Sequence, residues 1–88
     1  MIWVCDLTED AKRDLRNLPL EVRRRVSRVL DQMALGPFAG DMKALQGSEW
    51  RGVFRRRIGS YRILFAPDEK KQTVTIVRIM PRSKGTYR

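Results

Sequence analysis

Four arginines fall within Phe54–Phe65, a stretch reading Phe-Arg-Arg-Arg-Ile-Gly-Ser-Tyr-Arg-Ile-Leu-Phe. Gly59 suits the positive φ of a tight turn at Ile58-Gly59-Ser60, so the stretch predicts two antiparallel strands. Strand side chains alternate between faces, which sends Arg55 and Arg57 one way and Phe54 and Ile58 the other. With Tyr61, Ile63 and Phe65 on the core side, Arg62 joins Arg55 and Arg57 on the opposite surface. Arg56 falls on the apolar side and must sit at an edge or snorkel outward. Guanidinium forks bind two phosphate oxygens at once, so such a face is suited to a phosphate-rich polyanion.

What the chain lacks narrows the chemistry further. It has no histidine and a single cysteine, Cys5, which excludes the usual zinc ligand sets for the monomer and any histidine-based triad or acid–base pair. No cofactor is implied. One cysteine excludes an internal disulfide framework and points to a reducing, cytoplasmic setting. Cys5 alternates with Trp3 and Leu7 and reads as a buried structural thiol. No apolar run approaches a membrane span, and the N-terminus lacks a signal-peptide layout.

Charge is unevenly placed along the 88 residues, whose net charge is +9. Residues 1–50 hold eight Lys/Arg against eight Asp/Glu, and residues 51–88 hold eleven against two. The whole excess lies in the half that reads as strands, which favours a nucleic acid or an acidic protein segment as partner.

The elements that must position these groups make one small domain with no internal repeat. Ile2–Leu7 predicts a first strand. Thr8 is an N-cap, with Glu9 and Asp10 in the first turn and Ala11, Leu15 and Leu18 as the apolar stripe. Pro19 separates that helix from a second, whose buried face is Val22, Val26, Val29, Leu30 and Met33, ending near Gly36-Pro37. Arg23, Arg24, Arg25 and Arg28 read as its solvated face. Residues 38–50 predict a loop anchored by Leu45. After the hairpin, residues 67–71 form a polar turn and Thr73–Met80 a last strand. Strict alternation there places Val74, Ile76, Arg78 and Met80 on one side, and Thr75, Val77 and Ile79 on the other. Trp3, Trp50, Tyr61 and Phe65 are expected in the core.

The order is β-α-α-β-β-β, an α+β fold with a small antiparallel sheet and a helical hairpin packed on one face. The other face is expected to gather Arg55, Arg57, Arg62, Arg78 and Arg82 from three strands into one concave patch that the helices leave bare.

Several segments together resemble the RelE/ParE superfamily of toxins from type II toxin–antitoxin modules. They are the Leu7-Thr-Glu-Asp-Ala-Lys-Arg-Asp-Leu15 helix start, the Leu18-Pro19 break, Lys43-Ala-Leu-Gln-Gly47, the arginine hairpin, and the terminal Arg82 with Tyr87-Arg88. The resemblance covers nearly the whole chain as a single toxin domain, 1–88, and implies two activities. RelE-like members are endoribonucleases that cut mRNA in the ribosomal A site, and ParE-like members poison DNA gyrase. Both are normally neutralised by an acidic antitoxin.

By similarity to the RelE-like branch, Arg55 and Arg57 match basic positions before the turn. Arg62 matches the arginine after the turn tyrosine, Arg82 the arginine after the last strand, and Tyr87 the near-terminal tyrosine. Here arginine stands where well-known RelE-type members have lysines, and Pro81 stands where many relatives carry histidine or another polar residue. For metal-independent RNA cleavage, Arg62 and Arg82 are the candidates to stabilise the extra phosphate charge. Arg55, Arg57 and Arg78 would hold neighbouring phosphates. Arginine stays protonated and is a poor base, which leaves Tyr87 as base or base-stacking residue, with Lys84 in reserve. A tail tyrosine packed on the sheet edge is the alternative for Tyr87.

Overall fold

The computed structural model describes residues 2–81, so the candidates Arg82, Lys84 and Tyr87 lie outside the described residues. Chain order is β1 (Val4–Leu7), α1 (Glu9–Arg16), α2 (Leu20–Leu35), β2 (Met42–Ala44), β3 (Phe54–Ile58), β4 (Tyr61–Asp68) and β5 (Thr73–Pro81), with a 3-10 turn at Ser48–Trp50. The strands form one sheet in the order β1-β5-β4-β3-β2. This is the expected α+β fold with two enlargements. Met42–Ala44, expected as loop, pairs with β3 as a fifth strand. β1 runs parallel to β5, so the sheet is mixed.

Local chemistry explains where the helices start and stop. Thr8 Oγ1 accepts from the Ala11 N–H at 3.0 Å, capping α1, and donates to the Val77 carbonyl at 2.8 Å. One side chain thus starts a helix and ties it to β5. Arg23 Nη2 donates to the carbonyls of Arg16 and Leu18 at 3.1 and 3.3 Å. That satisfies acceptors that the end of α1 leaves open, which gives one member of the α2 arginine run a structural task. Arg24, Arg25 and Arg28 are exposed, as expected.

The core lies between the helices and one sheet face. Ala11, Leu18, Val26 and Met33 meet Trp3, Ile58, Ile63, Phe65, Val74, Ile76 and Ile79. Trp50, expected there, is not a member. Phe54 stacks on Phe65 with ring centroids 5.9 Å apart, and Phe38 bridges edge-on to Trp3 and Phe54.

The hairpin has the expected register: Phe54 opposes Phe65, Arg56 opposes Ile63, and Ile58 opposes Tyr61. The closing pair leaves a two-residue turn, Gly59-Ser60, with φ +56° at Gly59. Arg56 snorkels as expected, its Nη2 3.3 Å from Gln32 Oε1.

Strict alternation fails in β5. Leu64 pairs with Arg78 but Phe65 pairs with Ile76, so Val77 is an extra residue in the ladder. A bulge of this kind resets which face the following side chains occupy. Ile79 therefore enters the core beside Ile63, while Arg78 and Met80 turn to the face opposite.

Candidate nucleic-acid interface

The register places the cations rung by rung on the sheet face turned away from the helices. Lys43 of β2 opposes Arg55 of β3. Arg55 opposes Leu64, and Arg57 opposes Arg62 directly. Arg57 is exposed and Arg62 half-buried.

Arg55 is set deeper than the alternation pattern implies, with only 7% of its surface exposed. Its Nη1 is buried and has no hydrogen-bond partner; the nearest countercharge is Asp41 Oδ1 at 3.6 Å. A buried guanidinium N–H without an acceptor is costly. Leu64 on the same face is 1% exposed yet lies outside the core beneath the helices. The arginine face is thus partly covered rather than bare.

Its concavity comes from the segment joining β2 to β3. This segment is closed on itself by a 2.9 Å hydrogen bond from the Leu45 N–H to the Val53 carbonyl. With the strand face it encloses a cleft of about 340 Å³, lined by Lys43, Ala44, Leu45, Gln46, Trp50, Arg55 and Arg62. Among the described residues, no acidic side chain lines it.

The structure brings Arg55, Arg57 and Arg62 together but gives Arg78 another role. Its Nε and Nη2 donate to Asp14 Oδ2 and Oδ1 at 2.7 and 3.1 Å, and the Ile79 N–H donates to Oδ2 at 2.9 Å. Burial alone would raise the Asp14 carboxyl, but the hydrogen bonds from Arg78 and Ile79 and the nearby positive charge outweigh it and hold the group below its ordinary value. The same hydrogen bond pushes Arg78 up, against a smaller opposing effect of burial. The expected three-strand convergence is corrected accordingly. Among the described residues the cluster draws its arginines from β3 and β4, and the charge of Arg78 is matched by α1.

Lys43, Gln46 and Trp50 are site residues that pattern reading missed, and Leu45 was expected only as an anchor. A three-residue strand is too short to display a period, and the one available signal was Met42-Lys43-Ala44 set between Gly40 and Gly47. Cys5, expected to be buried, is half-buried and packs against the core. Burial first, then the charges of Asp31 and Asp6, push its thiol up, which removes thiolate character. Among the described residues no cluster of His, Cys, Asp or Glu could hold a metal ion, and no helix is long and apolar enough to cross a membrane.

Comparison with known proteins adds to this geometry. The family profile described as "ParE toxin of type II toxin-antitoxin system, parDE" matches residues 6–85. Among solved structures, the toxin–antitoxin complex RelBE2 from Mycobacterium tuberculosis contains a chain that is 29% identical, with a TM-score of 0.81, covering 93% of this chain and 100% of that one. The archaeal RelE–RelB complex from Pyrococcus horikoshii gives 23% identity and a TM-score of 0.81, covering 97% and 100%. A YoeB/ParE toxin from Agrobacterium tumefaciens shares the fold at 15% identity and a TM-score of 0.74, covering 89% and 96%. No curated protein matches by sequence.

Proposed function

The chain belongs to the RelE/ParE superfamily of type II toxin–antitoxin toxins, and from that premise we propose that it is a metal-independent endoribonuclease that cuts ribosome-bound mRNA. The observation that carries this reading is the opposed pair Arg57 and Arg62 beside the buried Arg55, three guanidiniums gathered on one sheet face in a form suited to a phosphate backbone.

In the proposed reaction the ribose 2′-oxygen attacks the adjacent phosphorus, its proton passes to a base, and the bond from phosphorus to the 5′-oxygen breaks. Arg62 and Arg82 stabilise the charge that accumulates on the phosphoryl oxygens, and Arg55 and Arg57 hold the flanking phosphates. Tyr87 is assigned as base or stacking residue, with Lys84 as the reserve candidate for the base. Arg78 contributes through Asp14 and the fold rather than through RNA. Holding the message in place supplies the remaining orientation, worth ~7–11 kcal/mol when fully exploited.

The partner that restrains the toxin is assigned as an acidic antitoxin laid over the arginine face, in the cytoplasm. The related structures from Mycobacterium tuberculosis and Pyrococcus horikoshii are themselves toxin–antitoxin complexes.

A second reading is favoured by one observation, the match to the ParE profile: the same face would engage DNA gyrase as a protein-binding toxin. Two assays separate the readings. Translation extracts programmed with a defined message should show cleavage by the wild-type protein and its loss in Arg62→Ala and Arg82→Ala. Intact message together with inhibited DNA supercoiling would instead establish the gyrase reading.

A further inference from the structure

We propose that Asp41 is a positioning residue for the arginine face: its carboxylate neutralises Arg55 and its carbonyl anchors the strand at Arg57, so that Arg57 is the β3 arginine presented to a phosphate. The inference rests on the ribonuclease reading above and deepens it, because it ranks two cations that the reading places together at the flanking phosphates.

Three observations meet at the corner Gly40-Asp41, where the chain turns into β2. First, the Arg57 N–H donates to the Asp41 carbonyl at 3.1 Å. That bond lies one residue beyond the β2–β3 pair of Met42 with Arg56, and it fixes the backbone from which the exposed Arg57 side chain projects. Second, Arg55 Nη1 is buried without a hydrogen-bond partner and faces Asp41 Oδ1 at 3.6 Å, an ion pair too long to be a hydrogen bond. The Asp41 side chain is 59% exposed, so the acid is the wet member of the pair and the cation the dry one. Third, Arg56 lies over Gly40 on the other face. A Cβ on Gly40 would sit 2.7 Å from Arg56 Cζ, and Arg56 Nη2 reaches on to Gln32. Two neighbouring residues thus touch three consecutive arginines.

The electrostatic consequence is a division of labour along β3. A buried guanidinium needs a countercharge, and Asp41 supplies it to Arg55. Arg57 forms no ion pair among the described residues. A polyanion nearing this face is repelled at the exposed carboxylate and drawn to Arg57, which sets where a phosphate settles.

The test uses the purified protein and a fluorescein-labelled hexanucleotide RNA that is 2′-O-methylated, so that it cannot be cleaved. Anisotropy across a salt series gives affinity and its salt slope. Arg57→Gln should lower the slope by ~0.7, one phosphate contact on a single strand. Asp41→Asn keeps the carbonyl and the shape and removes only the charge. It should bind RNA roughly 2- to 5-fold tighter, the scale of one exposed charge, although it melts below wild type. A merely structural residue would lose stability and affinity together. Arg55→Gln should cost more affinity in the Asp41→Asn background than in wild type, the coupling expected of a pair. Urea titration gives the matching cycle in stability. Asp41→Asn alone should be less stable than the double variant, which buries no unpaired charge.

If Asp41→Asn binds RNA no more tightly than wild type while Arg57→Gln lowers the slope, the inference is overturned and the ribonuclease reading stands. Equal costs of Arg55→Gln in the two backgrounds, or a double variant no more stable than Asp41→Asn, would overturn it in the same way. If the wild-type protein does not bind RNA at all, the ribonuclease reading falls and the inference with it.

Discussion

Replacing Asp14 by alanine removes two things at once: the acceptor of a buried backbone N–H and the countercharge of Arg78. Ile79 is a core residue, and its N–H donates to Asp14 Oδ2 at 2.9 Å. Leaving that donor unsatisfied costs ~1–3 kcal/mol. The ion pair adds less, because the Arg78 side chain is 40% exposed against 16% for Asp14, and solvent screening limits such a pair to ~0–1 kcal/mol. The total of ~1–4 kcal/mol is a large share of the ~4–13 kcal/mol that a domain of this size possesses. A loss of about 2 kcal/mol corresponds to about 8–16 °C in Tm.

Asp14→Asn retains an oxygen for the Ile79 N–H, so it should cost about 1 kcal/mol or less at neutral pH. The pH dependence has a definite sign. The fold holds the Asp14 carboxyl below its ordinary value, so its contribution is complete above the unfolded value of ~3.9 and fades as pH falls through the lower folded value. Thermal melts should therefore show the gap between wild type and Asp14→Asn at pH 7 narrowing as pH falls below ~3.9. An Asp14→Ala melt within about 2 °C of wild type at pH 7 would refute the argument, as would a gap that widens in acid.

Other expectations concern the hairpin and the core. Gly59→Ala should lose ~1–2 kcal/mol, because an L side chain is disfavoured at φ +56°. A Cβ there would also lie 2.7 Å from Arg25 Nη2, but that guanidinium can swing away. Urea titration of the Gly59→Ala, Arg25→Ala double variant should accordingly show no recovery; full recovery would mean the clash, not the backbone, carries the cost. Phe65→Ala empties a fully buried site and should cost ~3–5 kcal/mol in the same assay, enough to leave a substantial unfolded fraction at 37 °C. A loss below about 1 kcal/mol would mean that the stack on Phe54 is not part of a tight core.

Where a single residue type answers a local demand, the fold was readable in advance. Thr8 caps the helix that its position predicts, and Gly59 turns the hairpin in the register that puts Arg55, Arg57 and Arg62 on one face. What escaped reading depends on partners far along the chain. Met42–Ala44 is a strand because β3 offers it an edge. The Val77 bulge shows only in the pairing of β5 with β4, yet it decides that Ile79 rather than Met80 enters the core. The partner of Arg78 is Asp14, a helix residue with nothing in its local spacing to mark it. Arg55 was assigned to the correct face, but its burial depends on how the segment after β2 folds back, which no periodicity encodes.

The parallel pairing of β1 with β5 has a consequence for how the protein comes into being. Val4 to Leu7 find their ladder in Thr73 to Ile76, and β4 needs the same strand on its other side. A nascent chain therefore holds β1 unmatched until β5 has been translated. Such long-range closure is slow compared with forming α1 and α2. Maturation thus waits on β5, and that interval gives any protector synthesised alongside it time to arrive before the poison is finished.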